Sequence, residues 1–162
     1  MSVEENEHAE ILRRLDALES ADQIRRLKAR YMQWCDDRRG IDIGSLFWEN
    51  GVWEGKGAST AGTTVGAPAI GELFAATPPR LTFTVHYLTN ESIEVDGNTA
   101  TGAWKLFEPC TVRDEVAVWQ GGRYEDVFER REGEWRFTRL TLHLEYRSLY
   151  DEGWARNQVA DL

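Results

Sequence analysis

Apolar residues recur in two distinct rhythms along the chain, and the change of rhythm divides it. Between Glu4 and Glu19, Ile11, Leu12, Leu15 and Leu18 return at helical spacing among charges, which predicts an amphipathic helix with one narrow apolar stripe. Ser20-Ala21-Asp22 reads as punctuation, with Ser20 or Asp22 placed to cap a second helix in which Ile24, Leu27 and Tyr31 follow in steps of three and four before Gly40 closes it. A short helical turn is expected from Asp42 to Phe47, and Asn50-Gly51 signals a turn ahead of a strand at Val52-Trp53. Gly55 to Thr64, rich in Gly, Ser and Thr, reads as a mobile loop. Pro68 suits a first helical turn, Ile70, Leu73 and Phe74 follow it, and Pro78-Pro79 ends that helix.

Beyond Pro79 the pattern is that of strands. Leu81 to Val95, Thr99 to Val112, Glu115 to Arg130 and Glu134 to Tyr146 alternate or are rich in β-branched and aromatic residues, with hairpin turns at Asp96-Gly97-Asn98 and Arg131-Glu132-Gly133. Helices first and strands afterwards predict an α+β domain, in which a four-stranded antiparallel meander curves over helices covering one face. The second helix and the Pro68 helix then close the concave side, the natural place for a ligand.

Composition narrows the function classes. The 162 residues carry 28 acidic and 19 basic side chains, a formal net charge of −9, with 41% hydrophobic residues, the profile of one globular domain. That excess of negative charge argues against nucleic acid and anionic membrane surfaces as partners. No apolar run approaches the roughly 20 residues of a membrane span, and acids stand near the start where a signal peptide carries lysine and arginine, so a cytoplasmic protein is expected. Cys35 and Cys110 have no metal-ligand spacing and are expected to be reduced thiols. No nucleophile elbow, phosphate loop or full dinucleotide fingerprint occurs, and His8, His86 and His143 are too scattered to suggest zinc.

The candidate chemistry lies in a few polar residues on apolar elements. In Leu81 to Leu88, one face carries Leu81, Phe83, Val85 and Tyr87, and Thr82, Thr84, His86 and Leu88 share the other. Either His86 looks at solvent, or the polar face lines the pocket and the apolar face needs cover from a second subunit, which predicts a homo-oligomer. Tyr31 and Asp36 differ in direction by about 140° on a regular helix and reach one cavity only if the helix end dips into it. Spacing does not choose between Asp36 and Asp37. Glu108 ends an apolar row with Trp104 and Leu106, where a carboxyl can hold a proton near neutrality or, at a strand end, reach water. Leu140, Leu142, Leu144 and Tyr146 form one face of the last strand, and His143 belongs to the outer one. Trp53, Trp104, Leu140 and Leu144 are candidate substrate contacts; Trp34, Trp48, Trp53, Trp104 and Trp119 could line a pocket for a polycyclic or aromatic substrate, although large aromatics are more often plain core.

Several runs then match one pattern in order and spacing. These are Leu27-Lys28-Ala29-Arg30-Tyr31 with Asp36, Phe47-x-x-Asn50-Gly51-Val52-Trp53, His86-Tyr87-x-Thr89-Asn90, and Val95-Asp96-Gly97-Asn98-Thr99-Ala100-Thr101-Gly102-x-Trp104. Together, from about Ala21 to Tyr146, they resemble the SnoaL-like branch of the nuclear transport factor 2-like superfamily, and within it the bile acid 7α-dehydratases and hexachlorocyclohexane dehydrochlorinases. The resemblance implies a cone in which a curved antiparallel sheet wraps N-terminal helices around a central pocket. It implies catalytic roles for Tyr31, Asp36 (rather than Asp37), His86 and Glu108, with no cofactor and no metal. It departs at Leu144, where the dehydratase has a functional arginine, with Arg147 three residues on. A neutral, hydrophobic substrate is therefore expected. The implied activity is a dehydratase-like lyase working by proton abstraction next to a carbonyl. The alternatives are an isomerase or cyclase of the same fold, or a non-catalytic ligand-binding or dioxygenase small-subunit-like protein. The chain divides into an N-terminal packing or subunit-contact helix (1–20), the SnoaL-like domain (21–147) and a tail (148–162), in a dimer or trimer.

Overall fold

The computed structural model describes residues 3–59 and 61–160. Its first element, α1 (Val3–Asp36), is one helix of 34 residues rather than the two expected. Ser20 does not cap, because tertiary contacts claim it: its side chain is fully buried and takes a hydrogen bond from Arg130 (3.2 Å), whose guanidinium also grips Asp16 at 2.7 and 3.0 Å. The C-terminal half of α1 packs Ile24, Leu27 and Tyr31 into the core. Its first half leaves Ile11, Leu12, Leu15 and Leu18 exposed.

A short helix α2 (Gly40–Ile43) and a 3-10 turn (Gly44–Leu46) lead into β1 (Phe47–Gly57). Asn50-Gly51 lies inside β1 as an irregularity between Phe47 and Val52, not as a turn before it. The Gly55 to Thr64 segment is shorter as a loop than expected, since β1 runs to Gly57 and β2 (Thr63–Val65) follows; Thr60 lies outside the described residues. Helix α3 (Ala67–Ala75) begins with Pro68 in its first turn and stops before Pro78-Pro79, as a prolyl ring dictates.

The strands β3 (Leu81–Thr84), β4 (Tyr87–Asp96), β5 (Thr99–Val112), β6 (Val116–Arg131) and β7 (Glu134–Leu149) complete a seven-stranded sheet of order β2-β1-β7-β6-β5-β3, with β4 also on β5. The sheet is therefore mixed rather than a four-stranded meander: β1 runs parallel to β7, a pairing between distant segments that local periodicity does not announce. It curls around the C-terminal half of α1, α2 and α3 to give an α+β cone. In β5 burial alternates residue by residue, so that Ala100, Gly102, Trp104, Leu106, Glu108, Cys110 and Val112 face inward.

Two features shape the cavity end of the cone. Gly121 pairs with Tyr146 but Gly122 with Leu144, so Glu145 is an extra residue in β7. A Cβ on Gly122 would stand 1.9 Å from the His143 carbonyl oxygen, an approach that only glycine allows. Beyond this bulge the alternation is offset by one: Arg147, opposite Gln120, turns to the inside, and Tyr146 packs against Trp154. The second feature is a fully buried ion pair, Lys28 Nζ to Asp126 Oδ2 at 2.8 Å, with the ammonium 3.4 Å from the Tyr124 ring centroid. Burial pulls Lys28 below its ordinary range and pushes Asp126 up to about 6, with the partner opposing both.

On the convex side, Tyr87, Phe107, Trp119 and Tyr150 form a continuous row with ring centroids 6.3, 5.4 and 5.5 Å apart. Tyr87, Phe107 and Tyr150 are exposed, as is Phe83 beside them. The tail from 148 extends β7 to Leu149 and then folds back so that Val159 bridges Arg147; its last two residues lie outside those described. No described helix is long and apolar enough to cross a membrane, and Cys35 and Cys110 are free thiols.

Candidate functional site

His86 stands in a break between two strands, and the break has a chemical origin. Across the ladder lies Pro109, which has no N–H to give, so β3 and β4 are interrupted at Val85-His86 instead of forming the single strand expected. The His86 backbone N–H turns to Asp36 Oδ2 (3.1 Å), and its ring Nδ1 meets Asp36 Oδ1 at 2.6 Å. Thr84 donates its hydroxyl to Asp36 Oδ1 (3.0 Å) and accepts from Arg38 (3.1 Å). The ring is therefore turned inward, not to solvent, and its exposure is only 9%.

Asp36, the last residue of α1, supports this ring from behind and reaches the cavity through it. Burial by itself would raise the Asp36 carboxyl. The hydrogen bonds from the His86 ring and backbone and from Thr84 outweigh burial and hold it below the usual carboxylate range. For His86 burial disfavours the charged ring, but Glu108 and Asp36 together prevail and raise its pKa above the ordinary value.

Glu108 is buried inside the cone rather than reaching water at a strand end. Its Oε2 lies 3.5 Å from His86 Nε2 and accepts from Gln120 Nε2 at 2.7 Å. Gln120 Oε1 in turn accepts from Arg147 Nε at 2.8 Å. Asp36, His86, Glu108, Gln120 and Arg147 thus form one polar chain across three strands and the end of α1. With Nδ1 occupied by a carboxylate, the neutral ring presents its Nε2 lone pair to the interior, the arrangement of a general base with an orienting acid.

A cavity of about 300 Å³, at the small end of the range for organic ligands, lies beside Nε2. Tyr31 lines it, its hydroxyl accepting from Trp53 Nε1 at 2.9 Å; burial raises the Tyr31 pKa well above the ordinary range, so the phenol keeps its proton. Of the candidate substrate contacts, Trp53 and Leu144 line the wall, with Leu142 beside them. Trp104 and Leu140 do not: Leu140 is wholly inside the core, and Trp104 packs edge-on against Phe128 near the Lys28 ammonium. His143 faces outward and pairs with Glu125 at 3.0 Å. Asp37 is exposed and away from the ring.

The wall also holds residues that sequence reasoning did not single out: Arg38, Arg80, Gln120 and Tyr124. The signal for Arg147 is the tandem Gly121-Gly122, since two adjacent glycines in a strand mark a bulge that re-aims the side chains beyond it across the ladder. Among the described residues no group of three or more His, Cys, Asp or Glu is arranged to hold a metal ion.

Comparison with known proteins agrees with this architecture. The SnoaL-like domain profile matches residues 16–141. Similar solved structures include the type 2 hexachlorocyclohexane dehydrochlorinase LinA, at 24% identity and TM-score 0.75 over 82% of this chain and 89% of that one. A protein of Novosphingobium aromaticivorans named for aromatic ring hydroxylase superposes at 27% identity and TM-score 0.74, over 82% of this chain and 94% of that one. A scytalone-dehydratase-like protein of the same organism does so at 19% identity and TM-score 0.72, over 82% and 89%. No curated protein matches the sequence.

Proposed function

The chain belongs to the SnoaL-like domain family, and on that premise we propose that it is a cofactor-independent lyase of the dehydratase type, acting on a hydrophobic, steroid- or polyketide-like ketone. The observation that carries the reading is the 2.6 Å contact between Asp36 and His86 Nδ1, which leaves Nε2 as the basic atom beside an apolar cavity. In this reading His86 Nε2 removes a proton from the carbon next to the carbonyl, and Asp36 stabilises the imidazolium that forms. The Tyr31 hydroxyl donates to the enolate oxygen, a contribution on the order of 3 kcal/mol for a fixed donor in a dry site. The enolate pair then forms the C=C bond as the C–O bond at the next carbon breaks. The imidazolium returns its proton to the departing hydroxyl, which leaves as water, while Glu108, 3.5 Å from Nε2, holds the charged ring in place between the two steps.

The test is turnover of a panel of β-hydroxy ketones, followed by enone absorbance and by loss of water in the product mass. His86→Ala and Asp36→Ala should each lower turnover at least about 100-fold with the circular dichroism spectrum unchanged; near-normal turnover in either folded variant overturns the assignment. A product of unchanged mass identifies an isomerase or cyclase using the same abstraction. The exposed aromatic row and the apolar stripe of α1 support a homo-oligomer.

A further inference from the structure

Of the deeply placed polar side chains on the cavity wall, Tyr31, Thr84, His86, Glu108 and Gln120 each hold a hydrogen bond within the protein. Tyr124 does not. It is 2% exposed, and among the described residues its hydroxyl has no hydrogen-bond partner. A buried phenol ordinarily finds one, because an unmet donor in a dry place is costly. The oxygen is not sealed off as Trp135 Nε1 is; the little surface it keeps opens on the cavity.

The ring is also held in place. On β6 it faces inward opposite Trp104, as Gln120 does opposite Glu108, and Gly122, which takes the inward place between them, has no side chain to fill it. The Lys28 ammonium lies 3.4 Å from the ring centroid, and the Tyr31 ring meets it edge to face at 6.5 Å and 84°. Burial, and after it the Glu108 charge, raises the Tyr124 pKa well above the ordinary range, so the hydroxyl keeps its proton and can donate. The Tyr31 hydroxyl is drawn to Trp53 instead, so the cavity has two phenol donors with different neighbours.

We propose that the Tyr124 hydroxyl is a direct contact for a second substrate oxygen, the hydroxyl on the carbon that loses water, while Tyr31 takes the carbonyl. This rests on the lyase reading above for the identity of that oxygen, and deepens it: the substrate is a β-hydroxy ketone chosen by its hydroxyl. As the C–O bond opens, its electron pair goes to oxygen, the His86 imidazolium supplies the proton, and the Tyr124 hydrogen bond follows the oxygen into water. A fixed donor aimed at an oxygen that gains charge helps the transition state more than the ground state.

Titration calorimetry in the His86→Ala background, where no turnover intervenes, compares the aldol of 2-naphthaldehyde and acetone with its analogue lacking the hydroxyl. The hydroxy ketone should bind about fivefold or more tightly, and adding Tyr124→Phe should remove that preference while leaving the deoxy ketone unchanged. Tyr31→Phe, which loses the carbonyl contact, should weaken both ketones alike. In urea unfolding Tyr124→Phe should be at least as stable as the native chain, because a hydroxyl without a partner has none to lose; a clear loss of stability reveals an internal partner and overturns the proposal. Equal binding of the two ketones, or a preference that survives Tyr124→Phe, overturns it as well. Release of water by the native chain alongside either result leaves the lyase reading standing. A preference that depends on Tyr124 in a chain that never releases water refutes the lyase reading and keeps the contact.

Discussion

Replacing Asp36 with asparagine keeps the volume of the side chain and removes its charge, so it isolates what the carboxylate does for His86. In the native chain Asp36 accepts from the His86 ring at 2.6 Å, from the His86 backbone at 3.1 Å and from Thr84 at 3.0 Å. Burial lowers the His86 pKa, and the Glu108 charge together with the hydrogen bond and charge of Asp36 raises it. A base must be neutral to accept a proton, so native activity should fall as pH drops through a midpoint above the ordinary histidine value of about 6.5. In Asp36→Asn burial and the Lys28 charge remain while one opposing carboxylate is gone, so the midpoint moves down. The amide also presents an N–H where the carboxylate presented only acceptors, favouring the tautomer with its proton on Nε2. The loss in kcat is then about 1,000- to 10,000-fold, or roughly 4–5 kcal/mol of activation free energy, the scale known for an orienting acid replaced by its amide. Two measurements check this. Ring-proton NMR titration needs no substrate and reads the His86 midpoint directly; the pH profile of kcat/KM reads it in turnover. A midpoint unmoved in the variant, or a kcat within tenfold of native, refutes the reasoning.

The sign for stability comes from the same shift: because the folded pKa of His86 exceeds its unfolded value, its contribution is fully present below pH about 6.5 and is lost as pH rises through the folded midpoint, so urea unfolding of the native chain against His86→Gln should converge across that window. Lys28→Met strands Asp126 in the core and should cost about 3–5 kcal/mol in urea unfolding, with Lys28→Met/Asp126→Leu recovering most of it; additive losses would show that the pair does not act as a unit. Gly122→Ala drives a Cβ into the His143 carbonyl and should lower stability by about 3 kcal/mol, whereas Gly97→Ala, whose Cβ meets nothing within 4 Å, should cost less and only through its left-handed backbone; equal losses would contradict the close-approach argument. Tyr87→Lys with Phe107→Lys should shift the mass seen by light scattering towards the monomer, and a native chain that is already monomeric ends the oligomer reading.

Local pattern carried much of the fold. Thr99 to Val112 could be bounded because inward and outward residues alternate without a defect, and Pro68 and Pro78-Pro79 bracket α3 for reasons internal to proline. The features that eluded the pattern involve partners distant in sequence. Ser20 has the chemistry of a cap, but Arg130, 110 residues on, claims its hydroxyl. The interruption at Val85-His86 depends on Pro109 across the ladder, and β1 finds β7 by parallel pairing. The same holds for the site. His86, Tyr31 and Asp36 were legible through the family resemblance, and the burial of Tyr31 through its place on the Ile24 and Leu27 stripe, but the inward turn of the His86 ring was not. Simple alternation would have sent Tyr146 inward and Arg147 outward, because the extra residue at Glu145 becomes visible only when β6 and β7 are set side by side.

The amide of Gln120 has one more consequence. Its oxygen is taken by Arg147 and its nitrogen by Glu108, so rotating the group by half a turn would break both bonds at once. The side chain acts as an insulator, holding a cation and an anion apart that would otherwise collapse onto each other and cancel. Were it a glutamate, the guanidinium would be neutralised in place; were it an alanine, the two charges would be free to meet across the hollow. Only a neutral side chain with a donor at one end and an acceptor at the other can hold both neighbours at once and keep them at a fixed separation.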